Sequence, residues 1–218
     1  MPLVVSIVGK SGSGKTTFLE KLIRELTSRG YRVATIKHTH HSLTLDQPNK
    51  DSWRHVRAGS EVAILSSPGE IAMIKPVSSE PTVGEIARLL GEDYDIILTE
   101  GFSRGDAPKI EVHRKEVGLP LKSAKQLVAI ATDEPLDTKV RQFSLEDIKS
   151  VADLLEKDFI EPQEERLSIY VNGAFVPLIV FPKQIISNVL LAIASSLKGV
   201  GEVRSLQFFL KKGTRRKD

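Results

Sequence analysis

Cysteine is absent from the 218 residues, which excludes a disulfide framework, a thiolate zinc centre, an iron–sulfur cluster and a cysteine nucleophile. An excess of charge of one sign is lacking too: 31 Lys+Arg stand against 28 Asp+Glu, a formal net charge of +3. So mild a balance creates no field that would imply nucleic acid or a membrane surface as partner. Long apolar runs are missing. The longest, Ile185 to Leu197, is broken by Ser187, Asn188, Ser195 and Ser196, and it falls short of the ~20 residues of a membrane span. The start, Met1-Pro2-Leu3-Val4-Val5-Ser6, carries no basic leader and no small-residue cleavage site, so no secretory signal is expected. Repeats and low-complexity tracts are also absent. What remains is 40% hydrophobic and 27% charged, the composition of a globular protein. A soluble cytoplasmic protein with one domain and an appendage, or with two small domains, is expected.

Strand and helix patterns alternate from the start. Val4 to Val8 is a continuous apolar run, as in a strand covered on both faces. Leu19, Leu22, Ile23 and Leu26 then follow helical spacing, with Gly30 as a stop, and Arg32 to Ile36 reads as a second strand. This is a βαβ unit, which favours a parallel sheet. Further on, His38 to Lys50 reads as a polar loop and Asp51 to Arg57 as a short helix. Val62 to Leu65 and Ile71 to Lys75 flank Ser66-Ser67-Pro68-Gly69, a hairpin signal. Helices are expected near Val83 to Leu90 and Ile148 to Leu155, the latter opened by a Ser144/Asp147 capping-box variant. Strands are expected at Asp95 to Leu98, Lys109 to Val112 and Leu127 to Ala131. The polar stretch Ile160 to Glu165, containing Pro162, marks a boundary, after which an Asn172-Gly173 turn separates two strands. The fold predicted is α/β: a mostly parallel sheet with a hairpin insertion over residues 1–160, a small ββαβ accessory unit over 165–212 whose last strand is Val203 to Leu210, and a basic tail, 213–218.

Gly9-Lys10-Ser11-Gly12-Ser13-Gly14-Lys15-Thr16 matches G-x-x-x-x-G-K-[ST] at every fixed position, between a predicted strand and a predicted helix. The pattern makes chemical sense as a phosphate cradle. Glycines let successive N–H groups turn inward as an anion nest, and the helix N-terminus adds partial positive charge. Lys15 can reach outer phosphates, and the Thr16 hydroxyl, beside Thr17, can ligate Mg²⁺. The fold class that follows is the P-loop NTPase.

Such a site needs an acid on the metal side. Ligands of open α/β sheets sit at the carboxyl ends of strands. In Tyr94 to Glu100, Asp95 begins the strand and lies roughly 16 Å from Glu100 at ~3.3 Å per residue. Glu100 is therefore the expected metal-side acid, with Gly101 allowing close backbone approach, and Asp95 a solvated or capping residue. Lys37, His38, His40 and His41 follow the second strand at the same edge. They read as polar loop residues, as a transition-metal site, or as contacts to an anionic ligand with Lys37 supplying charge.

Taken together, Lys37-His38-Thr39-His40-His41, Asp46 to Arg54, Ala58-Gly59-Ser60, Thr99-Glu100-Gly101-Phe102 and Pro108-Lys109-Ile110 resemble the MobB family across about residues 3 to 158. Gln47 and Asn49 depart from it, standing where an acid and a glycine are common. The resemblance implies a dimeric P-loop adaptor that binds GTP–Mg²⁺ with slow hydrolysis. It would assist a separate molybdopterin guanylyltransferase that joins GMP to molybdopterin, with molybdopterin itself a possible ligand. It further implies that Asp46, or Asp51, positions Mg²⁺ or its water; each also fits an ordinary loop or helix N-cap acid. Asp133, after Val128 to Ala131, is placed to read guanine, although the full N/T-K-x-D signature is lacking and a simple turn aspartate fits as well. Two rival functions remain open. One is a P-loop small-molecule kinase with Arg104, Arg114 and Lys115 in a lid; the other is a non-catalytic partner-binding module using Trp53, Arg54 and Arg57.

Overall fold

A computed structural model describes residues 3–39, 49–121, 125–163, 167–172, 174–203 and 205–210. The chain divides into two compact units, residues 1–164 and 165–218.

The first unit is built on the apolar runs seen in the sequence. Its elements in chain order are β1 (Val4–Val8), α1 (Lys15–Ser28), β2 (Val33–Lys37), α2 (Asp51–Arg57), β3 (Ala63–Ser66), β4 (Ile71–Ile74), α3 (Val83–Leu90), β5 (Ile96–Glu100), β6 (Lys109–His113), β7 (Leu127–Thr132), β8 (Arg141–Ser144) and α4 (Ile148–Leu155). Six strands form one sheet in the order β2-β5-β1-β6-β7-β8, and every pairing in it is parallel. β1 lies in the interior, where its five buried residues are covered on both faces. β3 and β4 pair only with each other, as an antiparallel hairpin.

One sheet face buries Val5, Ile7, Leu98, Ile110, Val112, Ala129 and Ala131 against α1 and α4. On the other, Val4, Ala34, Ile36 and Ile97 pack on Ala87 of α3. Arg29, at the end of α1, ties the first layer together by bonds of 2.7 Å to Asp153 and Glu156 near α4. The capping box falls elsewhere than expected. Asp147 caps α4, accepting from Ser150 N at 3.2 Å, because Ser144 is consumed as the last residue of β8, a strand not foreseen in the sequence. A complete capping box instead opens α3, between Thr82 and Glu85.

β6 departs most from ordinary patterning. Its alternate residues Lys109, Glu111 and His113 are all buried, although each carries an ionisable group. Lys109 Nζ donates to the carbonyls of Gly105, Ala107 and Lys125 at 2.5, 2.9 and 2.9 Å. His113 Nε2 lies 3.0 Å from Glu134 Oε1. Glu111 Oε1 accepts from Leu121 N at 2.8 Å, while its Oε2 is buried with no partner among the described residues.

Burial raises the pKa of Glu111 above its ordinary 4.5, opposed by the Leu121 bond and by His113 and Lys10. A raised folded-state pKa means that the folded protein holds this proton more tightly than the unfolded chain. The penalty is therefore absent below the ordinary pKa and grows as pH rises through the folded one. Glu111→Gln keeps the Leu121 contact and never ionises. It is expected to be more stable than wild type by roughly 1 kcal/mol at pH 8, with the difference vanishing near pH 4. Thermal melts across that range check this; a gain independent of pH would refute the charge argument.

The second unit contains β9 (Ile169–Val171), β10 (Ala174–Val176) and α5 (Val180–Ser195), with β9 and β10 antiparallel. The strand expected over Val203 to Leu210 does not form: residues 203 and 205–210 are irregular. A strand exists only where another pairs with it, and the three-residue strands of this hairpin recruit no third. The basic tail lies outside the described residues.

Candidate functional site

The loop between β1 and α1 has the backbone a phosphate cradle requires. Gly9, Gly12 and Gly14 all have positive φ, at 145°, 82° and 86°. At Gly9 a side chain is excluded outright, since a Cβ there would stand 2.3 Å from the Val112 carbonyl oxygen of β6. Gly14, in the left-handed conformation, leads into α1 without a side-chain cap, leaving the first N–H groups of the helix to an anion. Ser11 and Gly12 are exposed at the loop's crest. Ser13 is buried, and its hydroxyl has no partner among the described residues.

Lys15 folds back so that its ammonium donates to the Lys10 carbonyl at 2.7 Å. Desolvation lowers its pKa from the usual lysine value, partly offset by Glu100 and reinforced by Lys37. Thr16, one residue on, points its hydroxyl at the end of β5, where Oγ1 lies 3.1 Å from both carboxylate oxygens of Glu100. Register explains the meeting: β1 pairs with β5 so that Ile7 stands opposite Glu100. β2 places Lys37 opposite Glu100 as well, with Nζ 3.6 Å from Oε1. Thr17 is exposed beside Thr16.

His38 continues this edge. Its backbone N–H donates to the Glu100 carbonyl at 3.0 Å. Its Nε2 lies 2.5 Å from Glu80 Oε1, and its ring stacks at a tilt 4.5 Å from Phe102. Gly101, at φ 108°, leaves room for it, since a Cβ there would be 3.0 Å from the His38 Cβ. Asp95 sits at the opposite end of β5, accepting from Arg32 N at 2.7 Å. His40, His41 and Asp46 lie outside the described residues.

The remaining expected residues are dispersed. Asp51 is the first residue of α2 and is not its N-cap, a position held by Lys50 without a side-chain bond. Trp53 and Arg57 form a cation–π pair at 5.2 Å, on the wall of an open cleft of about 860 Å³ shared with Ile74 and Lys75. Asp133 follows β7 and is exposed, but its carboxylate is engaged within the subunit: Oδ1 accepts from Lys115 N at 2.8 Å and Oδ2 lies 3.9 Å from Arg114. Arg104 is exposed in the turn after Phe102.

Thr16 and Glu100 supply a hydroxyl and a carboxylate, hard oxygen donors suited to Mg²⁺. Among the described residues no group of three or more His, Asp or Glu converges. That fits an ion held by one or two protein oxygens together with phosphates and water.

A profile of the family described as molybdopterin guanine dinucleotide synthesis protein B (MobB) matches residues 4–133. The chain is 41% identical over 158 residues to a molybdopterin-guanine dinucleotide biosynthesis adapter protein of Haemophilus influenzae, covering 70% of this chain and 87% of that one. It is 34% identical over 151 residues to its counterpart in Escherichia coli, covering 66% and 86%. Among solved structures, a crystal structure of molybdopterin-guanine biosynthesis protein B aligns with a TM-score of 0.56 and 31% identity, over 70% of this chain and 97% of that one.

Proposed function

Because the chain belongs to the MobB family, we propose that it is an adapter in molybdopterin-guanine dinucleotide biosynthesis that binds GTP with Mg²⁺ and hydrolyses it slowly. The observation that carries this is the pair of 3.1 Å contacts from the Thr16 hydroxyl to Glu100 at the mouth of a glycine loop. Bound there, Mg²⁺ would neutralise phosphate charge. The chain's own residues hold and orient the nucleotide. The amides of Gly9, Ser11, Gly12, Ser13 and Gly14, with those of Lys15, Thr16 and Thr17 at the helix start, would surround the phosphates. Lys15 would exchange the Lys10 carbonyl for an outer phosphate. Lys37 and His38 would face the same charge from β2, and Thr16, Glu100 and Asp46 would bear on the metal. Asp133, which follows β7, is proposed to read the guanine edge.

The proposed partners are a molybdopterin guanylyltransferase, molybdopterin and a second copy of this chain. Dimerisation is supported by the hairpin β3–β4, whose Ile64, Ile71 and Met73 are 58%, 74% and 48% exposed on a ribbon that joins no sheet of its own subunit. Residues 165–212 are proposed as an accessory domain. Among the described residues no helix is long and apolar enough to cross a membrane, which is compatible with the proposed cytoplasmic location. The test is co-elution of the full chain with a molybdopterin guanylyltransferase, with GTP, with ATP and with neither. Association strengthened by GTP over ATP is the expected result; association indifferent to nucleotide would remove GTP from the mechanism.

A further inference from the structure

An arginine reaches the phosphate loop from outside it. Arg114 follows β6, and β6 runs parallel to β1 in adjacent register, so the chain leaving β6 passes beside the chain leaving β1. A Cβ built on Gly14 would lie 3.4 Å from Arg114 Nε and 3.6 Å from Nη2. The guanidinium therefore lies against the loop backbone one residue before Lys15. Two contacts anchor the segment that carries it: Lys115 N donates to Asp133 Oδ1 at 2.8 Å, and Lys10 Nζ, from the loop itself, donates to the Val117 carbonyl at 3.3 Å. The link from Arg114 Nη1 to Asp133 Oδ2 is loose at 3.9 Å, with both side chains more than a third exposed. Ion pairs of that kind hold weakly. The guanidinium makes no hydrogen bond among the described residues, which leaves its N–H donors available.

We propose that Arg114 is a second phosphate-binding cation of the nucleotide site. This rests on the reading of that loop as a nucleotide site. A planar guanidinium matches phosphate oxygens bidentately, which the more distant Asp133 carboxylate does not achieve here. One Asp133 oxygen pins the Lys115 backbone, while the other stands only loosely against the guanidinium. A nucleotide that draws Arg114 to its phosphates also releases Asp133 Oδ2.

The experiment is calorimetric titration of GTP and of GDP, with Mg²⁺, into the full-length wild type, Lys15→Ala, Arg114→Gln and Arg114→Lys, each at low and at high salt. Arg114→Gln keeps a polar side chain with a planar head but removes the charge, shortens the reach and leaves fewer N–H donors. It is expected to weaken both nucleotides about tenfold and to flatten the salt dependence of binding. Arg114→Lys, which keeps the charge without the bidentate fork, is expected to restore the salt dependence and to recover only part of the loss, which a packing role would not do. Arg114→Gln binding both nucleotides within twofold of wild type, while Lys15→Ala has lost them, overturns the proposal and leaves the nucleotide site standing. Arg114→Lys with the same flattened salt dependence as Arg114→Gln also overturns it. Failure of the wild type to bind either nucleotide, or Lys15→Ala binding as wild type, overturns the nucleotide reading itself and the proposal with it.

Discussion

Lys109→Met is expected to destabilise the first unit by about 3–5 kcal/mol, since each buried acceptor left without its donor costs on the order of 1–3 kcal/mol and three carbonyls lose theirs. Methionine keeps much of the stem's volume, so packing is largely preserved. What is lost is the ammonium that satisfies three carbonyls, those of Gly105, Ala107 and Lys125, from a side chain with no solvent exposure. These carbonyls belong to the two loops flanking β6, and without a donor each is left desolvated. Desolvation already lowers the Lys109 pKa below the ordinary lysine value, so the bonds offset a burial penalty and do not add to a free gain. The measurement is a thermal or urea melt of the full chain, where a fall in Tm of roughly 10 °C is expected for a unit of this size. A change under about 2 °C would mean that water replaces the ammonium and that the knot is dispensable.

Lys15→Ala is expected to lower GTP affinity on the order of ten- to a hundredfold, since charge-assisted contacts to phosphate contribute ~1.5–3 kcal/mol. Stability should change little, because in this structure the ammonium's hydrogen bond is a single one to the Lys10 carbonyl, exposed and replaceable by water. The loop's shape does not depend on it: positive φ at Gly9, Gly12 and Gly14 and the start of α1 at Lys15 are backbone properties. Calorimetry of GTP against the variant checks this, with circular dichroism confirming the fold. Unchanged affinity would place the nucleotide elsewhere, and the open cleft beside Trp53 would be the next place to look.

How much of this was legible in the sequence depended on whether the partners of a residue are its near neighbours. The phosphate loop was, because its geometry is local. Glycines at fixed offsets permit the turn, and the helix that follows begins at the next residue. The interior position of β1 was also legible, since an unbroken run from Val4 to Val8 requires cover on both faces. Glu100 was preferred to Asp95 from strand direction and rise alone, and the structure brings Glu100 to Thr16 while leaving Asp95 at the far end. The resemblance to MobB rested on motifs between Lys37 and Ile110 and was expected to cover about residues 3 to 158; the family match covers residues 4–133 of that stretch.

The strand β6 shows where that reading stopped. Lys-Ile-Glu-Val-His alternates charged and apolar residues, the pattern of a strand with one face in water. The structure buries both faces, because the carbonyls of residues 105, 107 and 125, the amide of Leu121 and the carboxylate of Glu134 close over the polar one. The short strand β8 escaped notice for the related reason that Arg141 to Ser144 has little apolar signal and is a strand only because β7 offers an edge. Asp133 and Arg114 were each visible as charges. That they meet beside Gly14 follows from the parallel placement of β1, β6 and β7, which no spacing in the sequence encodes. The sequence alone determined the elements whose hydrogen bonds and side chains close on themselves within a few residues. Only the tertiary structure decided which charges are buried and which converge, because the cost of burying a charge is set by donors and acceptors that the fold brings from far along the chain.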